Sequence, residues 1–564
     1  MEQVKSFIKD YWIFLFICLI GLAFKFYNLG DRPLHHDESL HALYGKYFAN
    51  SFTSGFYKYD PMLHGPLLYN IQGLWHWLAE PLSKAQVRFI PALIGFLISL
   101  SPLLFTSKLN KRQLLFLTTF LAISPCFTYW SRFLRHDPLV LIQIVGAIYV
   151  LTYKPRYWVI SLGAIAGLHF STKENFFVHI ALILGFLITR LFITKKFFSP
   201  SPKQALEFLG GFFLVIIPLF SAWFQYWPGL LDGLYRKSLV YWLEQHHIER
   251  IKGPFFYNSL IISIYEIWIL PTMILIGALW FKYQNKLCRY LDLFIIVSIF
   301  TIGILLPPSL PEFFITLLKI KNKIDFVLFF SFVYISLRST IYLIQKRHLP
   351  LAFSAYIFFS TLFTYSFLGE KVPWLSIYTI ASCAVFITLL IPKLSPKYSN
   401  IVLLFLFLSL PKTIYINYFS AGSGKELISQ VHTTREYENI LLKLETNLNK
   451  PVGAIKPQVL VLENNGWPLS WYLWGYNGVN YSANINQHKN YDFIFDRLLD
   501  SNRPGNLEKT HTREVINLRH YWWPSFSDIT FKRWLKLVFM NEAWSKSGEF
   551  QISLWRKKTG FFSE

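Results

Sequence analysis

Several apolar runs along the chain exceed the roughly 18 residues needed to cross a hydrocarbon core. The N-terminal apolar run extends from Tyr11 to Tyr27, close to that length, and is interrupted only by Lys25. Lys5 and Lys9 before it predict a cytoplasmic N-terminus, and the segment 30–86 then forms the first external loop. A second run covers about 87–105, and Lys108, Lys111 and Arg112 mark the return inside. The third, to about Trp130, delivers YWSRFLRHD (129–137) to the face of the first loop. Charge alternation continues: Lys154 and Arg156 inside, Ser171–Asn175 outside, Arg190 to Lys203 inside, 226–258 outside, and Lys282, Lys286 and Arg289 inside. Over roughly eight crossings the basic loops and the span count agree. Between Tyr290 and Leu368 two spans joined by PPSLPEFFITLLKIKNK, then a third, are the favoured reading, with a re-entrant hairpin as the alternative. Two further spans, 375–391 and 401–416, make about thirteen, or eleven with the hairpin. Either count leaves GEKVPW (369–374) outside, because spans are gained or lost in pairs.

After Ser420 the pattern changes to that of a soluble domain. A helical stretch over 425–448 and short apolar runs at 459–462, 491–495 and 550–555 predict a small α/β domain. Parity places it outside. The expected organisation is therefore a mostly α, polytopic membrane unit (1–419) followed by an extracytoplasmic α/β domain (420–564).

Composition supports the membrane reading. Of 564 residues, 53% are hydrophobic and only 15% charged, against about a quarter in soluble proteins. The net charge of +23 lies largely in short loops, with no nucleic-acid motif, so a nucleic-acid partner is not expected. Cys18, Cys126 and Cys383 fall in apolar segments and Cys288 beside a basic loop, so no disulfide framework is implied. The first run has no cleavage site and is expected to remain as a helix.

The first loop carries HHDES (35–39) and YDPMLHGPLLY (59–69). Leu40, Leu43, Tyr44, Tyr47 and Phe48 form an apolar stripe that predicts an amphipathic helix at the membrane interface. At its start Asp37 and Glu38 could be no more than a helix cap and a first-turn acid. Three further ionisable clusters converge on the same face: Arg132, Arg135, His136 and Asp137; Thr172, Lys173 and Glu174; and Glu370 with Lys371. Four such clusters on one face suit group transfer from a phosphate-bearing lipid. Cations would hold the phosphate and stabilise the leaving charge, while a carboxylate accepts the proton of an attacking hydroxyl or positions a divalent ion. Asp37, Glu38 and Asp137 are the catalytic candidates, and Arg135, Lys173 and Lys371 the phosphate-facing cations. His36, His64, Arg132, Glu174, His246 and Glu370 are supporting candidates, and a metal would draw on Asp37, Asp137 and His36. Adjacent histidines 246 and 247 cannot both face one ion from a regular helix. Trp223, Trp227, Trp242 and Trp268 read as interfacial belt residues.

These motifs, with PGLLDGLYRKSLVYWLEQHH (228–247), IYE (264–266), GEKVPWL (369–375), WPLSWYLWGY (467–476) and LRHYWWPSF (518–526), resemble the archaeal and bacterial flippase activity-associated family of predicted glycosyltransferases. That family is related to the dolichyl-phosphate-mannose–protein mannosyltransferases and the lipid A aminoarabinose transferase, all of the GT-C fold. The resemblance implies a catalytic acid in the first external loop, here Asp37 with Glu38 beside it, and a second acid in the next, here Asp137. It implies a polyprenyl-phosphate sugar donor and a protein, lipid or glycan acceptor at the cytoplasmic (inner) membrane. Val372 stands where the family usually has Met and Tyr378 where it often has His, and 290–349 reads as an insertion. The alternative is a transporter, flippase or flippase-assisting subunit. Such a protein should place ionisable residues near the bilayer midplane and show related halves. Here the charges gather at one face.

Overall fold

The computed structural model describes residues 2–54, 58–80, 83–197, 199–247, 253–307, 315, 320, 322–451, 455–462, 467–482, 490–496 and 507–559. Helix α1 (Glu2–Phe26) leads into α2 (His36–Ser54) and α3 (Leu67–Ala79). The apolar stripe of α2 is covered by the chain itself: Phe48 is buried with Leu63 and Tyr69, and Leu40 and Tyr44 pack against them. Lys25 is fully buried near the end of α1 and donates to the Leu121 carbonyl at 3.0 Å, which explains its place in an apolar run.

The chain continues through a bent pair, α4 (Lys111–Ile123) and α5 (Pro125–Ser131), then α6 (Asp137–Tyr153), α7 (Trp158–Phe170) and α8 (Asn175–Thr194). A second bent pair, α9 (Tyr257–Tyr265) and α10 (Ile269–Tyr283), precedes the helices Lys286–Leu305 and Lys323–Gln345. Both of these have span length, as the two-span reading of this region expects; most of the segment joining them lies outside the described residues. The helices α11 (Leu349–Phe367) and α12 (Ser376–Leu390) follow. Among the described residues seven helices are long and apolar enough to cross a membrane, or nine if each bent pair is one span.

One carboxylate holds both bends. Pro125 has no N–H and cannot continue α4, so the axis turns by 54°. Ser124 caps the new start by accepting from the Phe127 N–H at 3.1 Å. Glu266 sits at the 102° corner between α9 and α10. It accepts from the Ser124 hydroxyl, from the Cys126 N–H at 2.9 Å and from Trp268 Nε1 at 2.8 Å. Trp268, expected in an interfacial belt, is instead fully buried as part of this corner.

The C-terminal region builds a six-stranded mixed sheet in the order β1-β5-β6-β4-β2-β3: β1 Val431–Thr433, β2 Val459–Leu462, β3 Val479–Ser482, β4 Phe493–Asp496, β5 His511–Tyr521 and β6 Gly548–Lys557. Alternation sends Val459, Val461, Phe493 and Phe495 to one face, under Tyr437, Leu441 and Leu444 of α13 (Arg435–Leu448). Leu460, Leu462 and Ile494 face the other way. The expected helix over 425–448 starts only at Arg435, since β1 occupies 431–433. The long strand β5 was not expected from the sequence. Its first half, HTREV, is mostly exposed and lacks apolar alternation. Trp522, Leu537 and Val538 join the buried core of the helical region, so the sheet domain packs onto the helices.

Candidate active site

The first turn of α2 is a capping box with histidine in the place of the usual hydroxyl residue. His35 Nδ1 accepts from the Asp37 N–H at 3.1 Å, and Glu38 reaches back to the His35 N–H at 3.0 Å. The ring next to the acids is thus the cap itself. Glu38 also accepts Nε and Nη2 of Arg88 at 2.8 and 2.7 Å and the Leu134 N–H at 3.1 Å, with Arg32 at 3.6 Å. It is fully buried, and both oxygens are committed to protein donors. Burial acts to raise the Glu38 carboxyl, but Arg88 and Arg32 outweigh it and hold it at about 2. Arg88 donates to the carbonyls of Leu29, Arg32 and Pro33 as well, so the pair ties the entry of α2 to the loop before it.

Asp37 faces the other way and keeps 22% of its side chain exposed. It pairs with Arg135 Nη1 through one oxygen, and the other stands 3.2 Å from His36 Nε2. The Arg135 guanidinium sits over Trp374, 3.6 Å from the ring centroid, and its Nε is 3.5 Å from Asp137 Oδ2. Asp137 Oδ1 accepts Lys173 Nζ at 2.7 Å and the Tyr378 hydroxyl at 2.6 Å. Charged groups from the first loop, the end of the third run and the α7–α8 connection, with a tyrosine hydroxyl from α12, therefore form one continuous chain. Burial pushes the Asp37 carboxyl up, yet His36 and Arg135 hold it well below the ordinary carboxylate range. Burial drives His36 itself down to about 4, so at neutral pH the guanidinium is the charge that does this. Burial also lowers the Lys173 ammonium, with Asp137 opposing.

Backbone pairing joins the first loop to the second cluster. Gly65 N–H donates to the Thr172 carbonyl at 3.2 Å and Leu67 N–H to the Ser171 carbonyl at 2.9 Å. A side chain at Gly65 would put its Cβ 2.2 Å from the Ser171 oxygen, so the HGP turn needs glycine for this approach. The contact brings His64 Nδ1 to 2.8 Å and the Tyr59 hydroxyl to 2.7 Å from Glu174. The His136 ring fills the wall between these groups, 5.0 Å from both His41 and His64.

No family model and no curated protein matches the chain significantly. Among solved structures it is similar to ArnT from Cupriavidus metallidurans in the apo state, with a TM-score of 0.46 and 14% identity, over 97% of this chain and 98% of that one. It is also similar to the same protein bound to undecaprenyl phosphate, with a TM-score of 0.43 and 13% identity, over 84% and 86% of the two chains.

The remaining candidates are placed differently. Arg132 donates to the carbonyls of Phe24, Lys25, Tyr27 and Asn28 at 2.7–3.2 Å and so caps the end of α1. The Lys371 ammonium donates to the Ser366 and Leu368 carbonyls at the end of α11, and Glu370 is half-buried beside it. The side chains of His246 and Trp242 lie outside the described residues. Sequence reasoning missed Arg88, which reads as the flank of an apolar run, and Trp374, which reads as core. Tyr378 was noted only for standing where histidine is frequent, and it is the residue that fixes Asp137.

Ligand atoms of His35, His36 and Asp37 lie within 4.8 Å of one another, a grouping that could hold a metal ion; Asp137 is not part of it. His36 Nδ1 stands 3.2 Å from the Val431 carbonyl, which assigns the ring proton to Nδ1 and leaves Nε2 as a bare acceptor. That acceptor faces the Asp37 carboxylate at 3.2 Å. Two acceptors in contact repel, and a cation between them relieves the repulsion, so the donor set fits a divalent ion.

Proposed function

We propose that the chain is an integral-membrane glycosyltransferase that moves a sugar from a polyprenyl-phosphate donor to an acceptor hydroxyl on the extracytoplasmic side. The observation that carries this reading is the unbroken ion chain Asp37–Arg135–Asp137–Lys173, set where the helices meet the C-terminal domain. In the proposed step the acceptor oxygen bonds to the anomeric carbon as the bond from that carbon to the phosphate oxygen breaks. The electron pair leaves on the lipid phosphate, where Arg135 and Lys173 stabilise it. The hydroxyl proton passes to Asp37. A carboxylate held below the ordinary range is a weak base, and it suffices because the hydroxyl becomes strongly acidic only as its oxygen bonds to the sugar. Asp137 is the positioning residue for Lys173, and Glu38 holds the turn that presents Asp37.

The charges sharpen the metal question. Asp37 and Asp137 cancel Arg135 and Lys173, and the neutral histidines add nothing, so a monoanionic phosphodiester would meet no net attraction. A divalent ion on His36 and Asp37 would supply it, along with Lewis acidity at the phosphate. We assign thirteen crossings: the nine long or bent spans, three shorter apolar helices and α1, with the N-terminus cytoplasmic and the C-terminal domain outside. The test is sugar transfer from a radiolabelled polyprenyl-phosphate donor by the purified protein. Asp37→Asn is expected to abolish it while the protein stays folded, and full activity in that variant removes Asp37 from the mechanism.

A further inference from the structure

Helix α14 (Phe531–Met540, FKRWLKLVFM) belongs to the C-terminal domain, yet it rests on the membrane-spanning helices. The Trp534 indole N–H donates to the Ser263 hydroxyl of α9 at 3.0 Å. Asn541, just past the end of α14, accepts from Lys412 Nζ at 2.6 Å. Lys412 lies within Pro396–Phe419, a helix long and apolar enough to cross a membrane. Its neighbour Thr413 donates to the carbonyl of Ile123, the last residue of α4. At 1.5 Å per residue Ile123 stands roughly 18 Å along α4 from Lys111, against a hydrocarbon core of about 30 Å. Because α9 meets α10 at 102°, it runs across the bundle at this same level, from the Glu266 corner beside Cys126. Both contacts hold α14 at a depth where the surroundings are lipid.

The sequence of α14 suits that place. Trp534, Leu537 and Val538 pack into the helical core, the last two buried in it. Phe531, Leu535 and Phe539, at every fourth position, form one flank of the helix. Phe531 is 74% and Phe539 68% exposed, and the Phe531 ring stacks on Trp534, so the apolar flank continues the packed face outward. Lys532, Arg533 and Lys536 are exposed on the other side, and the helix contains no acid. From Asp528 to Lys546 four basic residues stand against two acids, a net charge of +2. An apolar flank beside a basic one is the pattern of a helix lying in the membrane interface, with rings among the acyl chains and cations at the headgroups. At this depth a protein partner would have to displace lipid to reach the same flank, which favours the bilayer as its occupant.

We propose that α14 is an interfacial anchor. Its Phe531–Leu535–Phe539 flank inserts into the bilayer and its basic side meets anionic headgroups, which holds the C-terminal domain down on the membrane. The proposal rests on the membrane reading and not on glycosyl transfer. Of the four cysteines only Cys288 is not buried, so the experiment uses full-length protein with Cys288→Ser and Phe539→Cys, labelled with an NBD fluorophore in phosphatidylcholine nanodiscs. The quenchers are lipid carrying a nitroxide near the headgroup end of its acyl chain, and aqueous iodide. A label at Thr559→Cys, an exposed position beyond the end of β6, is the reference. The lipid nitroxide is expected to quench the label at 539 about threefold more than the reference, and iodide to show the reverse order. Phe531→Glu, a change at an exposed position, is expected to cut the lipid quenching by about half. Phosphatidylglycerol in the nanodisc is expected to raise it about 1.5-fold, and Lys532→Gln with Arg533→Gln to cancel that gain. Iodide quenching at 539 equal to that at 559 overturns the proposal, as does protection from both quenchers, which a protein partner or a second copy would give. Lipid quenching indifferent to Phe531→Glu or to phosphatidylglycerol overturns it as well.

Discussion

Asp37 and Glu38 are adjacent acids in one helical turn, and their removal is expected to have opposite consequences. Glu38→Gln deletes a carboxylate that is fully buried and paired through two oxygens with the buried Arg88. Breaking one side of such a pair leaves a buried charge unpaired, at about 3–5 kcal/mol. The carboxyl's pull from its ordinary value near 4.5 to about 2 gives a second route to the magnitude, about 3 kcal/mol. The two agree. Because the folded value is the lower one, this stability is present above pH 4.5 and is lost as pH falls toward 2. Asp37→Asn keeps an acceptor oxygen for Arg135, which retains Asp137 at 3.5 Å as its counter-charge, so no buried cation is left unpaired and the cost is the smaller of the two. The assay follows unfolding of solubilised protein by tryptophan fluorescence between pH 7 and pH 3, beside sugar transfer at pH 7. Glu38→Gln is expected to unfold several degrees earlier at pH 7 and to lose less than wild type on acidification. Asp37→Asn is expected to unfold like wild type and transfer nothing. The reasoning fails if Glu38→Gln is as stable as wild type at pH 7, or if Asp37→Asn is the less stable of the two.

Tyr378→Phe removes the 2.6 Å hydrogen bond that orients Asp137 toward Lys173 and should lower kcat about tenfold with the fold intact; an unchanged kcat would take Tyr378 out of the site. Arg135→Lys keeps the charge but loses the guanidinium contact over Trp374, and a fall in kcat of about a hundredfold is expected, whereas wild-type kinetics would show that a point charge suffices. Chelation with EDTA should stop transfer and manganese or magnesium should restore it, and His36→Ala should raise the metal concentration needed for half-activity. Full activity in EDTA would refute the ion at His36 and Asp37.

Apolar runs and basic loops made most of the helical architecture legible, since both follow directly from the membrane as solvent. Asp37, Arg135 and Lys173 were legible as charges gathered on one face, and the structure joins them in one ion chain. The distribution of roles within the site was not. Glu38 and Asp37 are indistinguishable by type and position, and only the partner 50 residues away, Arg88, separates them. Lys371 was read as a phosphate-facing cation and Arg132 as a supporting residue, and nothing in the sequence signals that each donates to carbonyls at a helix end. Helix ends of that kind are visible only once the axes are placed. The stripe on α2 was read correctly as a face, but its cover is α3, separated from it in the chain by a turn the pattern does not resolve.

The corner at Glu266 gives the molecule a mechanical linkage. Two bent spans share a single carboxylate, so neither elbow can flex without pulling on the other. One arm of that linkage, α5, runs on into the segment that carries Arg135. A push on α9 or α10 is therefore delivered toward the Arg135 guanidinium through a carboxylate two helices away from it.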